Sequence, residues 1–258
     1  MPSNDVIALT GVNKTYPLGR LRVRALTDVN LTIGRGDFIA LAGPSGSGKT
    51  TLLNLIGCLD KPDAKPDDGR IAVDGVDITR IPLHRLAALR RNTLGFVFQT
   101  FNLIPVLTAY ENVEYPLLLQ NVPRRDRDAR VRRWLDETGI GKQAKQRPDQ
   151  LSGGQRQRVA IARAMVSEPK LVLADEPTAN LDSDTAAHIL DLLAEINTRT
   201  GCTFVFSTHD PSLIARAERV VRIRDGRIEA RQQTADSGQQ VREESAVGCL
   251  LSAVQEVA

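Results

Sequence analysis

The 258-residue sequence predicts an α/β fold with a parallel central sheet, an antiparallel β subdomain and an inserted helical subdomain. The last third alternates strand-like runs, LVLADE, TFVFSTH and VVRIRDG, with helical segments, which is typical of a parallel sheet. The first part carries short strand-like runs, VIALT, ALTDVNLTI and GRIAVDG, that favour an antiparallel sheet. Between these parts, residues 83–167 have mostly helical patterning. We therefore expect one core that both sheets share.

These patterns place one domain over residues 1–230. Its core and β subdomain are expected at about 1–95 and 165–230, and its helical subdomain at about 96–164. Beyond Glu229 the composition, RQQTADSGQQVREES, is too polar to bury much apolar surface. We expect residues 231–258 to form a mobile tail.

Composition narrows the class of protein. The 34 Lys and Arg residues against 31 Asp and Glu give a net charge of +3, too small and too dispersed to predict a nucleic-acid partner. Cys58, Cys202 and Cys249 are widely spaced and odd in number, which argues against a disulfide framework or a metal site and favours a reducing compartment. No apolar run approaches the ~20 residues of a membrane span, and no signal-peptide pattern opens the chain.

The first chemical motif is GPSGSGKT, which fits G-x-x-x-x-G-K-[ST] between the apolar strand FIALA and a helix. Its glycines let backbone N–H groups converge on phosphate oxygens at a helix N-terminus, where the dipole favours an anion. Lys49 adds a charge for the β and γ phosphates, and the Thr50 hydroxyl can ligate Mg²⁺. The predicted phosphate-binding residues are Gly43, Pro44, Ser45, Gly46, Ser47, Gly48, Lys49, Thr50 and Thr51. The motif predicts a P-loop nucleoside triphosphatase with a RecA-like core.

A second motif, LVLADE, supplies the carboxylates that such a site needs. Four apolar residues precede Asp175 and Glu176, which places both acids at the carboxyl end of a strand, where ligands bind in open α/β sheets. We expect Asp175 to hold Mg²⁺ through water. Glu176 can polarise a water molecule for in-line attack on the γ-phosphate.

The stretch LSGGQ at 151–155, together with these motifs, resembles the signature of ABC-type ATPases. The other motifs of that family follow in order over about residues 6–230. Gln99 at the end of the strand GFVFQ matches the Q-loop glutamine, Asn180-Leu181-Asp182 matches the D-loop, and His209 after TFVFST matches the switch histidine. Tyr16 falls where the family has an aromatic residue that stacks on adenine, although an ordinary edge-strand aromatic is the alternative.

The resemblance implies a mechanism that needs a second copy of the chain. Two domains pack head to tail, and Ser152, Gly153, Gly154 and Gln155 cap the γ-phosphate held by the partner's Lys49 loop. The bland alternative is that LSGG only caps its own helix. ATP and Mg²⁺ are the expected cofactors, with Thr50, Gln99 and Asp175 at the metal. Glu176, His209, Gln99 and Lys49 are the expected catalytic residues, and Asp182 links the two sites.

The spacing of the motifs bears on the partner. Only 102 residues separate Lys49 from Ser152, without a heptad run, which favours a compact transporter subunit over a DNA-repair ATPase. The wording TLLNLIGCLDKP and ADEPTANLD resembles the MacB/LolD group of lipoprotein release and export. The resemblance implies separate permease subunits, docked near Gln99, and possible periplasmic adaptor and outer-membrane channel partners. A peripheral, cytoplasmic position on the inner face of the cell membrane follows.

One alternative and two departures stay open. The chain is alternatively a regulatory, cell-division type of ABC ATPase that binds a membrane partner without transport. The loop KPDAKPDDG at 61–69 is longer than the group's usual turn, and we expect it not to touch the nucleotide. The tail adds the apolar stretch AVGCLLSAV. Both departures weaken any transfer of a particular cargo to this chain.

Overall fold

A computed structural model describes residues 4–63 and 69–229 of the chain. The predicted tail, the cysteine at 249 and residues 64–68 of the 61–69 loop lie outside the described residues. The strands are β1 Asp5–Leu18, β2 Leu21–Gly34, β3 Phe38–Ala42, β4 Arg70–Val73, β5 Val76–Asp77, β6 Leu94–Val97, β7 Leu171–Asp175, β8 Thr203–Thr208, β9 Arg219–Arg224 and β10 Arg227–Ile228. The α-helices are α1 Lys49–Ile56, α2 Ala87–Thr93, α3 Ala109–Leu119, α4 Arg124–Glu137, α5 Gly153–Met165, α6 Ser183–Thr200 and α7 Pro211–Arg216, with 3-10 turns at Gly141–Gln143 and Pro148–Gln150.

The central sheet has six strands in the order β10-β9-β3-β8-β7-β6. All neighbours from β9 to β6 are parallel, and only β10 is antiparallel to its neighbour. The prediction of a parallel sheet from the strand and helix alternation is confirmed. Every residue of β3 is buried, as expected for an inner strand covered on both faces.

The second sheet is antiparallel, in the order β2-β1-β4-β5. Its main part is a hairpin of two 14-residue strands, β1 and β2, whose register shifts between Asp5 and Thr15. Each irregularity increases the local twist, which helps the hairpin to curve over the central sheet. The predicted antiparallel β part is therefore present.

The two faces of the central sheet belong to different apolar clusters. On β3, Ile39 and Leu41 pack with α1 and with the inward residues of the antiparallel sheet. Phe38, Ala40 and Ala42 point the other way and pack with residues of α3 to α6. This alternation is the two-residue period of a strand. The prediction that both sheets share one core is confirmed by the first cluster.

The middle of the chain is mainly helical, and α3, α4 and α5 pack on one another around Trp134, which is 1% exposed. Helix α5 also packs directly on β6. The approach is so close that a Cβ at Gly95 would lie 2.7 Å from the carbonyl oxygen of Ala164. Among the described residues, no helix is long and apolar enough to cross a membrane.

Two element ends differ from the sequence expectation. Strand β6 ends at Val97, two residues before Gln99, because its pairing with β7 stops there and the backbone then turns through Phe101 and Asn102, both with positive φ. The stretch LSGGQRQRVAIARA predicts a helix that starts near Gln155, but α5 begins at Gly153, because Ser152 is its N-cap.

Candidate active site

The loop between β3 and α1 is clasped by two distant segments of the chain. Gly48 has φ 104°, and a Cβ there would lie 2.6 Å from the carbonyl oxygen of Ala25 on β2. A Cβ at Gly226, on the turn between β9 and β10, would meet the same oxygen at 2.6 Å. The N–H of Gly226 also donates to the carbonyl of Ser47 at 3.0 Å. Backbone therefore packs directly on backbone on this side of the loop, which only glycine allows.

Lys49 opens α1 and turns its ammonium back over the loop. The residue is 7% exposed, and its Nζ donates to the carbonyls of Gly43 and Pro44 at 2.8 and 3.0 Å. An ammonium has three N–H groups, so a third donor remains at the loop. The first N–H groups of a helix also lack partners within the helix. Positive charge and donors therefore converge here, as a phosphate site requires.

Thr50 and Asp175 bring two oxygen ligands together across the sheet. The Thr50 hydroxyl lies 3.2 and 3.3 Å from the two carboxylate oxygens of Asp175, at the carboxyl end of β7. Mg²⁺ prefers such oxygen ligands and usually keeps several of its waters, so the hydroxyl could bind it directly and the carboxylate through a water molecule. The pair therefore fits the metal. Among the described residues, no hydrogen bond joins the Gln99 side chain to this pair.

Glu176 and His209 meet at the same edge of the sheet. Nδ1 of His209 lies 2.8 Å from Oε1 of Glu176, and the glutamate side chain is 16% exposed whereas the histidine side chain is 69% exposed. Glu176 has φ 47°, and its N–H donates to the carbonyl of Ser207 on β8. A non-glycine residue at positive φ costs free energy that the surrounding structure must offset. The turn thereby directs the carboxylate toward the histidine.

Ser152 starts α5 with a reciprocal cap. Its side-chain oxygen accepts from the N–H of Gln155, and its own N–H donates to the Gln155 side chain at 2.9 Å. Gly154 lies on the start of α6, because a Cβ there would meet Cγ2 of Thr185 at 2.5 Å. Asp182 caps α6 by accepting from the N–H of Thr185 at 2.9 Å, which holds the pKa of the Asp182 carboxyl below its usual range. We call residues 152–155 the Ser152 corner.

The segment that follows Glu176 is tied to two other motifs. Gln157, fully buried on α5, donates from Nε2 to the carbonyl of Pro177 at 2.7 Å. Asn180 donates from Nδ2 to the backbone carbonyl of Gln99 at 2.8 Å. The helix that carries the Ser152 corner and the loop that carries Gln99 therefore both contact the segment beside the carboxylate.

The phosphate loop and the two carboxylates at the end of β7 lie in a stretch of sequence that matches a known family. The sequence profile of a family described as ABC transporter matches residues 26–179. The chain belongs to the ABC transporter family. It is an ATP-binding and ATP-hydrolysing domain of the ABC type, in the MacB/LolD-like group.

Relatives with named functions and with solved structures support this placement. The chain is 48% identical over 229 residues to the macrolide export ATP-binding/permease protein MacB 1/2 of Paracoccus denitrificans, covering 89% of this chain and 34% of the relative. It therefore spans about a third of the length of that protein. It is 47% identical to the lipoprotein-releasing system ATP-binding protein LolD of Anaeromyxobacter dehalogenans, covering 88% of this chain and 94% of the relative.

A solved structure has the same fold. The ATP-binding cassette MJ0796 of Methanocaldococcus jannaschii, in a dimeric post-hydrolysis state bound to ADP and Pi, matches with a TM-score of 0.81 and 42% identity. The match covers 89% of this chain and 99% of that chain. The predicted P-loop core with an antiparallel β subdomain and a helical subdomain agrees with this cassette.

The aromatic residue expected at the adenine of an ABC ATPase lies on β1. Tyr16 is half buried, and its hydroxyl donates to Oδ2 of Asp60 at 2.6 Å, just after α1. The structure thus assembles Lys49, Thr50, Asp175, Glu176 and His209 into one cluster. The Ser152 corner instead packs beside the start of α6.

Sequence reasoning missed several residues that support the predicted ones, namely Lys14, Asp60 and Gln157, and it did not foresee the contact of Asn180 with Gln99. A signal existed for Gln157, because a polar side chain lies among the apolar positions of α5 in QRVAIARAM. No comparable signal marked Asp60, which is an ordinary polar residue in a loop.

Proposed function

We propose that two copies of this chain pack head to tail over two ATP molecules and that hydrolysis at both sites powers a separate membrane permease. The observation that carries the proposal is the Ser152 corner. It presents the N–H groups of a helix N-terminus, is fixed by the Gln155 cap and by the contact of Gly154 with Thr185, and has an exposed serine. Such a corner suits an anion brought by another molecule.

We assign the following roles within each composite site. Tyr16 stacks on adenine, residues 43–51 hold the phosphates, and Asp182 links the sites. Thr50 and Asp175, with Gln99, hold Mg²⁺, which supplies charge neutralisation at the phosphates. On the opposite side, Ser152, Gly153, Gly154 and Gln155 of the second copy donate to the γ-phosphate.

The hydrolytic step uses the Glu176–His209 pair. The carboxylate of Glu176 accepts a proton from the attacking water while the water oxygen forms a bond to the γ-phosphorus. The bond between the γ-phosphorus and the β-phosphate oxygen breaks at the same time, which gives ADP and phosphate. His209 contacts Oε1 of Glu176 and so orients the carboxylate, leaving Oε2 for the water. It also lies at the sheet edge where it can steady the γ-phosphate.

A groove between α3 and β6 is suited to a permease segment. It has a volume of about 240 Å³ and is lined by Phe96, Phe98, Tyr115, Leu119 and Arg163, among others. Tyr115 and Leu119 are 41% and 48% exposed. Phe98 precedes Gln99, so a segment seated here would contact the loop that carries the predicted metal ligand.

The names of the relatives suggest where this ATPase works and which process it drives. MacB is named as a macrolide exporter with its own permease, and LolD as part of a lipoprotein-releasing system. We propose that this chain lies on the inner face of the cell membrane and drives export or lipoprotein release. Periplasmic adaptor and outer-membrane channel proteins complete the proposed assembly.

Crosslinking tests the head-to-tail dimer. Ser45 is exposed on the phosphate loop, and a Cβ at Gly153 would keep 3.4 Å from its nearest neighbour, so Ser45→Cys and Gly153→Cys suit a disulfide probe. Cys58 and Cys202 are buried, and Cys249→Ser removes the third cysteine. With a non-hydrolysable ATP analogue, we expect a covalent dimer. The matched control pairs Ser45→Cys with Thr198→Cys, which is exposed near the far end of α6.

Failure of the first pair to crosslink, or equal crosslinking of the control pair, would contradict the proposed dimer.

Purification of the native membrane complex tests the permease. A permease with large extracytoplasmic domains supports transport, whereas a cell-division partner supports the regulatory alternative.

A further inference from the structure

Tyr16 is held by an ion pair that joins β1 to the loop after α1. Lys14, two residues before it, donates from Nζ to Oδ1 of Asp60 at 2.7 Å. The other oxygen of Asp60 accepts from the Tyr16 hydroxyl at 2.6 Å. The same ammonium lies 4.7 Å from the centroid of the Tyr16 ring. One carboxylate and one ammonium therefore fix the ring at its hydroxyl and on one face.

The arrangement is shielded enough to hold its geometry. The Lys14 and Asp60 side chains are 12% and 29% exposed. The hydrogen bonds and charge of Lys14 and Tyr16 lower the pKa of Asp60 against the raising effect of its burial. Burial, followed by the contact with Asp60, raises the pKa of Tyr16 to about 12. The phenol thus keeps its proton and donates to an ionised carboxylate, a charge-assisted hydrogen bond.

Further contacts tie the cluster to the phosphate loop and to the 61–69 loop. The Thr51 side chain, in the first turn of α1, acts on the Tyr16 hydroxyl and lowers its pKa against the larger raising effect of burial. Lys14 also donates to the carbonyl of Lys61 at 2.6 Å, and the N–H of Thr15 donates to Asp63 at 3.0 Å. The tyrosine hydroxyl therefore lies between the phosphate-binding helix and the start of the long loop.

We propose that Asp60 is a positioning residue for the nucleotide base. Together with Lys14, Asp60 fixes the Tyr16 ring, so that the ring face directed away from Lys14 is the surface on which the base stacks. The Lys14 ammonium on one face fixes the plane of the ring, and the Asp60 carboxylate holds the hydroxyl end in place. A ring that is already ordered loses less side-chain entropy when a base binds. The inference rests on the proposed stacking role of Tyr16.

The test compares a base-containing ligand with a base-free one. In Asp60→Asn and in Tyr16→Phe, which keeps the ring but removes the hydroxyl, we expect the Kd of ADP to rise about threefold to tenfold. This is a share of the roughly tenfold to hundredfold that base stacking on an aromatic ring represents. The inhibition constant of inorganic tripolyphosphate, which has no base, stays within twofold. Asp77→Asn, which breaks the exposed pair with Arg70, is the matched control and leaves both binding constants unchanged.

The outcomes separate this inference from the role of Tyr16 itself. If Tyr16→Ala leaves the Kd of ADP unchanged, stacking on Tyr16 is wrong and both ideas fail. If Tyr16→Ala weakens ADP but Asp60→Asn and Tyr16→Phe do not, only the positioning role of Asp60 is overturned. Equal losses for ADP and tripolyphosphate in Asp60→Asn would show a general structural role and also overturn it. Should Asp60→Asn fail to fold, Tyr16→Phe alone still decides.

Discussion

The Lys49 loop and the Ser152 corner are both donor-rich turns at helix N-termini, yet their surroundings differ. Lys49 is 7% exposed, its ammonium is held by its own loop, and Thr50 beside it contacts Asp175. Ser152 is exposed, and its cap bonds go to Gln155 in its own first turn.

The difference supports the proposal that the two turns are halves of one composite site contributed by two copies of the chain. The loop with Lys49 gathers charge, a metal pair and a carboxylate around one place. The Ser152 corner supplies rigid donors, and within the described residues its hydrogen bonds join it to neither Lys49 nor the carboxylates of Asp175 and Glu176. A turn of this kind does its work only against a complementary surface, which the proposed second copy provides.

The largest expected effect removes the reaction while leaving both halves intact. Glu176→Gln keeps the size of the side chain but loses its basicity, so turnover should fall by about 10² to 10⁴, the range for a general base. ATP affinity is retained, and ATP should trap a dimer seen by size-exclusion chromatography. Glu195→Gln, an exposed acid on α6, serves as the control. Normal hydrolysis by Glu176→Gln would refute the role given to this carboxylate.

A smaller effect is expected from moving the Ser152 corner alone. In Gly154→Ala the new Cβ would lie 2.5 Å from Cγ2 of Thr185, and such overpacking costs about 1–3 kcal/mol. ATP-dependent dimerisation and turnover should fall about tenfold, while calorimetry finds the Kd of ADP for the monomer unchanged. Adding Thr185→Ser removes Cγ2 but keeps the hydroxyl, and should restore activity. Lack of rescue would mean that the loss arises elsewhere.

The smallest effect concerns the hydrogen bond that joins α5, which carries the Ser152 corner, to the segment beside Glu176 in the same molecule. Gln157→Leu removes the hydrogen bond to the carbonyl of Pro177, next to Glu176, at a net cost of about 1 kcal/mol. We expect kcat to fall roughly fivefold with little change in KM. The melting temperature should also change little, since Leu removes Oε1 as well, a buried oxygen without a partner among the described residues. A raised KM with normal kcat would contradict this link.

Local patterns predicted the fold because strands β3, β6 and β7 of the central sheet are short and apolar. These apolar runs and the helical segments between the later strands could be read directly. The ends of elements were less predictable, since β6 stops where its pairing with β7 stops and α5 starts where Ser152 caps it. Pairing and capping depend on contacts that form only in the folded chain.

The candidate site was predictable wherever its residues lie in continuous motifs. Asp175 and Glu176 follow one strand and His209 follows the next, so their convergence at one sheet edge required only a parallel sheet. The supporting residues were not predictable, because their partners are far along the chain. Tyr16 and Asp60 are 44 residues apart, and Asn180 is 81 residues from Gln99.

The clasp on the phosphate loop has a consequence for shortening the chain. Gly226 donates its N–H to the carbonyl of Ser47 and, like Gly48, packs closely on the carbonyl of Ala25, so the last hairpin forms one wall around the phosphate loop. An excised fragment ending after β9 would keep every sequence motif and still leave that wall open. A minimal working fragment therefore extends through β10.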